Sequence, residues 1–163
     1  MTTSFDIVDT TEADIPAITA IYAEAVLNGT ASFELDPPDE AEMLRRFRAI
    51  RDQNYPYISA HAEDGSLLGY AYASAYRSRP AYRWTVEDSV YIGPGAQGRG
   101  LGRALLAEII NRCEALGFRQ MIAVIGGSDH LPSIKLHEAL GFAHAGVLRH
   151  VGFKHGSWLI GAW

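Results

Sequence analysis

The densest chemical signal in the chain is Gln97-Gly98-Arg99-Gly100-Leu101-Gly102-Arg103. Glycines let backbone N–H groups come close to a bound anion, because no Cβ stands in the way. A helix that opens just after them adds unpaired N–H donors and the positive end of its dipole. Arg99 and Arg103 contribute charge. Together these make a phosphate or pyrophosphate site. A P-loop is excluded, because no Gly-Lys-Ser/Thr tripeptide is present. A Rossmann fingerprint also fails, because its last glycine position is Arg103.

Other residues offer weaker chemistry. Arg77, Arg79, Tyr82 and Arg83 lie in one short basic, aromatic loop. Arginines can fork onto a carboxylate or a phosphinate, or the loop can simply be solvated. His137 is a lone histidine on a mostly apolar segment, a pattern that fits packing as well as proton transfer. Cys113 lies beside Ile109, Ile110 and Leu116 and reads as a small buried apolar residue, not a nucleophile. The six histidines have no compact ligand spacing, so no metal is expected.

The elements that must position these groups follow from periodicity. Phe5 to Val8 predicts a strand. Thr11 caps a helix carrying Ile15, Ile18, Ile21 and Ala25 or Val26, stopped at Asn28-Gly29. Pro37-Pro38-Asp39 opens a second helix with Met43, Leu44, Phe47 and Ile50 on one face. Tyr55 to Ala62 and Leu67 to Ser74 predict strands around the turn Glu63-Asp64-Gly65-Ser66. Trp84 to Ile92 alternates, with Val86, Asp88, Val90 and Ile92 on one face and Glu87, Ser89 and Tyr91 on the other. After the glycine turn an amphipathic helix buries Leu101, Ala104, Leu105, Ile109 and Leu116. Arg119 to Ile125 predicts one apolar strand. A short helix from Pro132 to Gly141 and a closing pair, Ala143 to Gly152 and Ser157 to Trp163, complete the order βααβββαβαββ. This is an α/β domain with a mixed sheet. Trp84 and Trp158 read as packing.

Bulk properties narrow the class. A chain of 163 residues fits one domain, residues 1–163, with a real core. The net charge of −5 argues against nucleic acid as the main partner. A single cysteine fits a reducing compartment. No basic-plus-apolar leader and no bilayer-length apolar run are visible, so a cytoplasmic location without membrane contact is expected.

Several separated motifs, in order, give a family resemblance. They are Thr85-Val86-Glu87-Asp88-Ser89-Val90-Tyr91, then Gln97 to Gly102, then Ser133 to Phe142, then Val151 to Trp158. Over nearly its whole length the chain resembles the GCN5-related N-acetyltransferases, and more narrowly the phosphinothricin and methionine sulfoximine acetyltransferase group. The resemblance implies a central mixed, mostly antiparallel twisted sheet of six or seven strands with about four helices. A splayed strand pair would form an acetyl-CoA cleft. Backbone groups of Val90, Tyr91 and Ile92 would pair with the pantetheine arm, and the Ile92 N–H could face the oxyanion. Gln97, Gly98, Arg99, Gly100, Leu101, Gly102 and Arg103 would hold the pyrophosphate. His130 and Ser133 would lie along the coenzyme. Glu87 would be the general base, or an orienting partner for an arginine. His137 would be the acid for the leaving thiolate, or a packed residue.

The acceptor implied is the α-amine of a small amino-acid-like molecule: methionine sulfoximine, methionine sulfone, phosphinothricin or a relative. By resemblance, Phe33, Arg77, Arg79, Tyr82, Thr85, Val86, Glu87, Val151 and Lys154 surround it, and the enzyme is a homodimer. The chain departs from the pattern at Glu34, where herbicide-resistance members carry arginine. Two other readings stay open: a non-catalytic acyl-CoA-binding or sensing module, and a protein or peptide N-acetyltransferase.

Overall fold

A computed structural model describes residues 4–127 and 131–162. Its elements run β1 (Phe5–Asp9), α1 (Ile15–Asn28), α2 (Glu40–Asp52), β2 (Tyr57–Ala62), β3 (Leu67–Ala75), β4 (Thr85–Ile92) and α3 (Leu101–Ala115). They continue with β5 (Gln120–Ile122), β6 (Ile125–Gly126), α4 (Leu131–Ala139), β7 (Val147–Lys154) and β8 (Ser157–Ala162). Local chemistry explains the starts. The Asp14 carboxylate accepts the Thr11 N–H at 3.0 Å ahead of α1, and Asp39 accepts the Glu42 N–H at 2.9 Å to open α2.

Instead of one sheet of six or seven strands there are two sheets. The larger has five strands in the order β1-β2-β3-β4-β5; the smaller has three, β6-β8-β7. The first four strands of the larger sheet pair antiparallel, and β5 joins β4 in parallel. The single strand predicted over Arg119 to Ile125 is therefore two. Ile125 and Gly126 leave the large sheet and pair with Ala162 and Gly161 of β8. A Cβ at Gly126 would collide with the Thr30 carbonyl and the Phe33 ring, so the connection after α1 seats on this glycine.

Each face of the large sheet has its own core. On one, Ile58, Ala60, Ala71, Ala73 and Val86 pack against Leu101, Leu105, Ile109 and Cys113 of α3. The three alanines let α3 lie close. On the other, Tyr57 and Tyr70 pack against Ile18, Tyr22 and Val26 of α1 and Met43 and Phe47 of α2. Each fully buried Leu or Ile contributes about 1.5–3 kcal/mol. Leu116 is half-exposed, because α3 ends at Ala115, and Leu106 and Cys113 join Leu101, Leu105 and Ile109 in the buried stripe. The packing roles expected for Trp84 and Trp158 fail too. Both are exposed, Trp84 under the Arg83 guanidinium and Trp158 beside Phe153. Among the described residues no helix is long and apolar enough to cross a membrane.

Candidate active site

The glycine turn stands between β4 and α3 as the spacing predicts. Gly98 and Gly100 have φ of +77° and +76°, a region that side chains other than glycine's rarely adopt, and Gly100 caps α3. A Cβ built on either would meet nothing within 4 Å, so the space in front is open. The first helical bond runs from the Ala104 N–H to the Gly100 carbonyl at 3.1 Å. The N–H groups of Leu101, Gly102 and Arg103 precede it and have no helical acceptor. No acidic residue lies in this first turn. Leu101 anchors the turn by its buried side chain, while Gln97, Arg99 and Arg103 stay exposed around it. A Cβ at Gly102 would sit 3.3 Å from Leu136, so this glycine lets α4 lie against α3.

Beside the turn, β4 and β5 diverge. Their parallel ladder covers Thr85, Val86 and Glu87 only, opposite Gln120, Met121 and Ile122. β4 then continues through Asp88 to Ile92, and Val90, Tyr91 and Ile92 lie on this extension. Glu87 stands where the ladder ends. It is half-buried and makes no hydrogen bond or ion pair among the described residues. Burial pushes its pKa up, and the neighbouring Asp88 charge adds to the rise.

His137 and Asp88 meet across the other face of β4. Nε2 of His137 lies 2.8 Å from Asp88 Oδ2, and Nδ1 lies 2.7 Å from the Ser133 carbonyl. Both side chains are buried. Desolvation pulls the histidine pKa down, but the Asp88 hydrogen bond and charge, with the Ser133 carbonyl, outweigh it and leave the pKa raised. Asp88 gave no signal in sequence beyond its place on a strand face; its role depends on a helix far along the chain.

The acceptor candidates divide into three groups. Arg77, Arg79 and Tyr82 are exposed on the loop between β3 and β4, with Arg77 over the Tyr76 ring at 5.1 Å and Tyr76 against Tyr82. Thr85 begins β4, close to Glu87. Val86 is fully buried in the α3-side core, on the face opposite Glu87, so its side chain does not line a pocket there. Phe33, Val151 and Lys154 gather at the β7–β8 hairpin. The Phe33 ring lies over Gly152, where a Cβ would fall 2.6 Å from it. Val151 is exposed. Lys154 is only 3% exposed, and its ammonium donates to the Ser32 carbonyl at 2.8 Å. Burial lowers its pKa, with the Glu34 charge opposing. Its geometry thus brackets the α1–α2 connection. His130 lies outside the described residues.

On the Glu87 side of the sheet is a cavity of about 270 Å³ under α1 and α2. Tyr70, Tyr72 and Ser74 line its floor, with Arg46 and Met43 above. Ser74 is the cross-strand partner of Glu87, and Tyr72 that of Ser89. The Tyr70 hydroxyl is buried and has no partner among the described residues. Sequence reasoning missed this wall, although the alternation Tyr70, Tyr72, Ser74 carried it. Glu34 borders the same region. Its carboxylate takes a fork from Arg46 at 2.6 and 3.1 Å and a hydrogen bond from the Tyr22 hydroxyl. The negative charge at this departure is thereby matched within the protein. Among the described residues no group of three or more His, Cys, Asp or Glu could hold a metal ion.

Comparison with known proteins bears on this arrangement. Residues 18–142 match the model of the acetyltransferase (GNAT) family. The chain belongs to that family. A phosphinothricin N-acetyltransferase of Alcaligenes faecalis is 56% identical over 90% of this acetyltransferase and 74% of its own length. An L-methionine sulfoximine/L-methionine sulfone acetyltransferase of Pseudomonas paraeruginosa is 42% identical over 96% of the chain and 90% of the relative. Among solved structures, a phosphinothricin acetyltransferase from Sinorhizobium meliloti in complex with AcCoA superposes with a TM-score of 0.94 at 55% identity. That match covers 99% of this acetyltransferase and 86% of the other chain.

Proposed function

We propose that this acetyltransferase moves the acetyl group of acetyl-CoA to the α-amine of a small amino-acid-like substrate, with Glu87 as general base. The observation that carries the reading is Glu87 itself: an unpaired, half-buried carboxyl at the end of the β4–β5 ladder, beside an aromatic cavity. The names of the two relatives support the substrate class. The AcCoA of the Sinorhizobium structure supports the coenzyme.

In this reading the N–H groups opening α3 hold the pyrophosphate, with Gln97, Gly98, Arg99 and Arg103 around it. The free edge of β4 from Val90 to Ile92 pairs with the pantetheine arm, and Ser133 lies by the thiol. The acceptor's amine gives its proton to the Glu87 carboxylate, directly or through water. The neutral nitrogen attacks the thioester carbon, a tetrahedral oxyanion forms, the C–S bond breaks, and the proton shed by the attacking nitrogen passes to the thiolate. An α-amine of pKa about 7.7–8.0 asks little of the base. The acceptor's side chain lies in the cavity over Tyr72 and Ser74, and Arg77, Arg79 and Tyr82 face its acidic end. Phe33 and Lys154 shape the site by holding the α1–α2 connection. The exposed apolar side chains of the β7–β8 hairpin support pairing with a second copy.

The test is release of CoA thiol with a panel of methionine sulfoximine, methionine sulfone, phosphinothricin, ordinary amino acids and peptides. Turnover with amino-acid analogues and not with peptides is expected. No turnover with any amine, despite acetyl-CoA binding, would leave a coenzyme-binding module instead.

A further inference from the structure

We propose that Asp88 and His137 form a buried aspartate–imidazolium pair that positions α4 against β4 and sets the charge beside Glu87. Its bearing on catalysis rests on the acetyl-transfer reading above; the pair itself does not. The argument starts from hydrogen-bond inventory. A neutral imidazole has one N–H and one bare nitrogen. The Ser133 carbonyl at 2.7 Å can only accept, and an ionised carboxylate at 2.8 Å can only accept. With Asp88 ionised, the two acceptors require two donors and the ring carries both protons; the other Asp88 oxygen, Oδ1, is buried with no partner among the described residues.

The surroundings hold it in place. The side chains are 8% and 3% exposed, so bulk solvent has little access to either bond. The Phe142 ring meets the imidazole edge-on at 4.9 Å. Leu140 and Phe142 N–H groups both donate to the His137 carbonyl, at 3.1 and 3.0 Å, so this residue also fastens the C-terminal end of α4. Opposite Asp88 on β3 is Ala73, which brings no charge. From α3 the Cys113 thiol faces the pair, its pKa pushed up to about 12 by burial and by the Asp88 charge. On β4 the neighbour is Glu87, whose protonation responds to Asp88. Removing one half of such a pair leaves the other charge uncompensated in the interior.

This geometry gives His137 a different part from that of an acid. Both of its protons are committed, and a CoA thiol of pKa about 8.5 leaves without a strong acid. His137 and Asp88 are positioning residues. They tie the strand that carries Glu87 to the helix that carries Ser133.

The first experiment needs no variant. Nitrogen-15 NMR of the histidine rings in the wild-type protein should show His137 protonated on both nitrogens well above pH ~6.5, where a free histidine loses its charge. A His137 ring with a single N–H near neutral pH overturns the proposal. Because this readout does not use acetyl transfer, it separates failure of the pair from failure of the functional reading. The second experiment is kinetic. Asp88→Asn should convert His137 to a single-N–H tautomer and lower kcat about ten- to a hundredfold, with KM for acetyl-CoA nearly unchanged. The two variants should move the acid limb of kcat/KM in opposite directions. Asp88→Asn lowers it by removing a negative neighbour of Glu87; His137→Gln raises it by leaving that neighbour unpaired. Wild-type kcat in Asp88→Asn, or shifts of the same sign in both variants, would defeat it.

Discussion

Glu87 owes its character to what surrounds it more than to its own chemistry. Most of its surface is buried, no arginine reaches it among the described residues, and a second carboxylate follows it in the chain. Both influences disfavour the ionised form, so its pKa rises. A base must be ionised to accept a proton. Activity therefore falls as pH drops through the raised pKa, and kcat/KM should lose its acid limb at a higher pH than an ordinary carboxylate of about 4.3 would give. Glu87→Gln should abolish that limb and lower kcat about 10²–10⁴-fold, while KM for acetyl-CoA stays within about twofold. Equal losses in turnover and acetyl-CoA affinity would assign Glu87 a structural role instead. Glu34 shows the opposite arrangement. Arg46 forks onto it and holds its carboxyl below the usual range, so it stays charged and spoken for.

At the scale of elements, the glycine turn combines a backbone requirement with an open approach. Gly100 sits at φ +76° as the cap of α3, and nothing lies within 4 Å of the place its Cβ would fill. Gly100→Val should act twice. The β-branched side chain in a left-handed conformation costs about 1–3 kcal/mol of stability, read as a lower melting temperature. Its methyls also occupy the space where the diphosphate would rest, so acetyl-CoA affinity by calorimetry should fall by more than about tenfold. A variant that melts lower yet binds acetyl-CoA as before would remove the cradle from the mechanism. This element was legible in sequence because its signal is local: glycines, then an apolar helical stripe. The β4 alternation was legible for the same reason, and it put Glu87 and Val86 on opposite faces before any coordinates. The break between β5 and β6 was not. Nothing in Arg119 to Ile125 marks it, because it depends on Phe33 and Thr30 seating at Gly126 and on β8 offering an edge. Asp88 with His137 escaped notice likewise, since contacts between distant segments leave no periodicity; the alternation Tyr70, Tyr72, Ser74 marked a strand face, but not that α1 and α2 roof a cavity over it.

At the scale of the whole molecule, the β7–β8 hairpin presents two different faces. Inward, Gly152 admits the Phe33 ring and Lys154 holds the Ser32 carbonyl, so the hairpin braces the connection that borders the cavity. Outward, Val151, Phe153 and Trp158 are exposed, with Trp158 at 64%, and the Phe153 and Trp158 rings lie 5.2 Å apart. Val147 and Leu148, earlier on β7, are exposed too. An exposed apolar cluster of this kind is a partner's footprint more often than a solvent face. A second copy of the same hairpin would satisfy it with a two-fold contact. Sedimentation of the wild-type protein should then give the mass of two chains. Phe153→Lys with Trp158→Lys should give one. The same pair of changes should raise KM for the acceptor while leaving KM for acetyl-CoA unaltered, because the brace serves the cavity and the α3 turn holds the coenzyme. A wild-type mass of one chain would reject the dimer outright. A monomeric double variant with both KM values unchanged would keep the dimer but cut its link to the acceptor site.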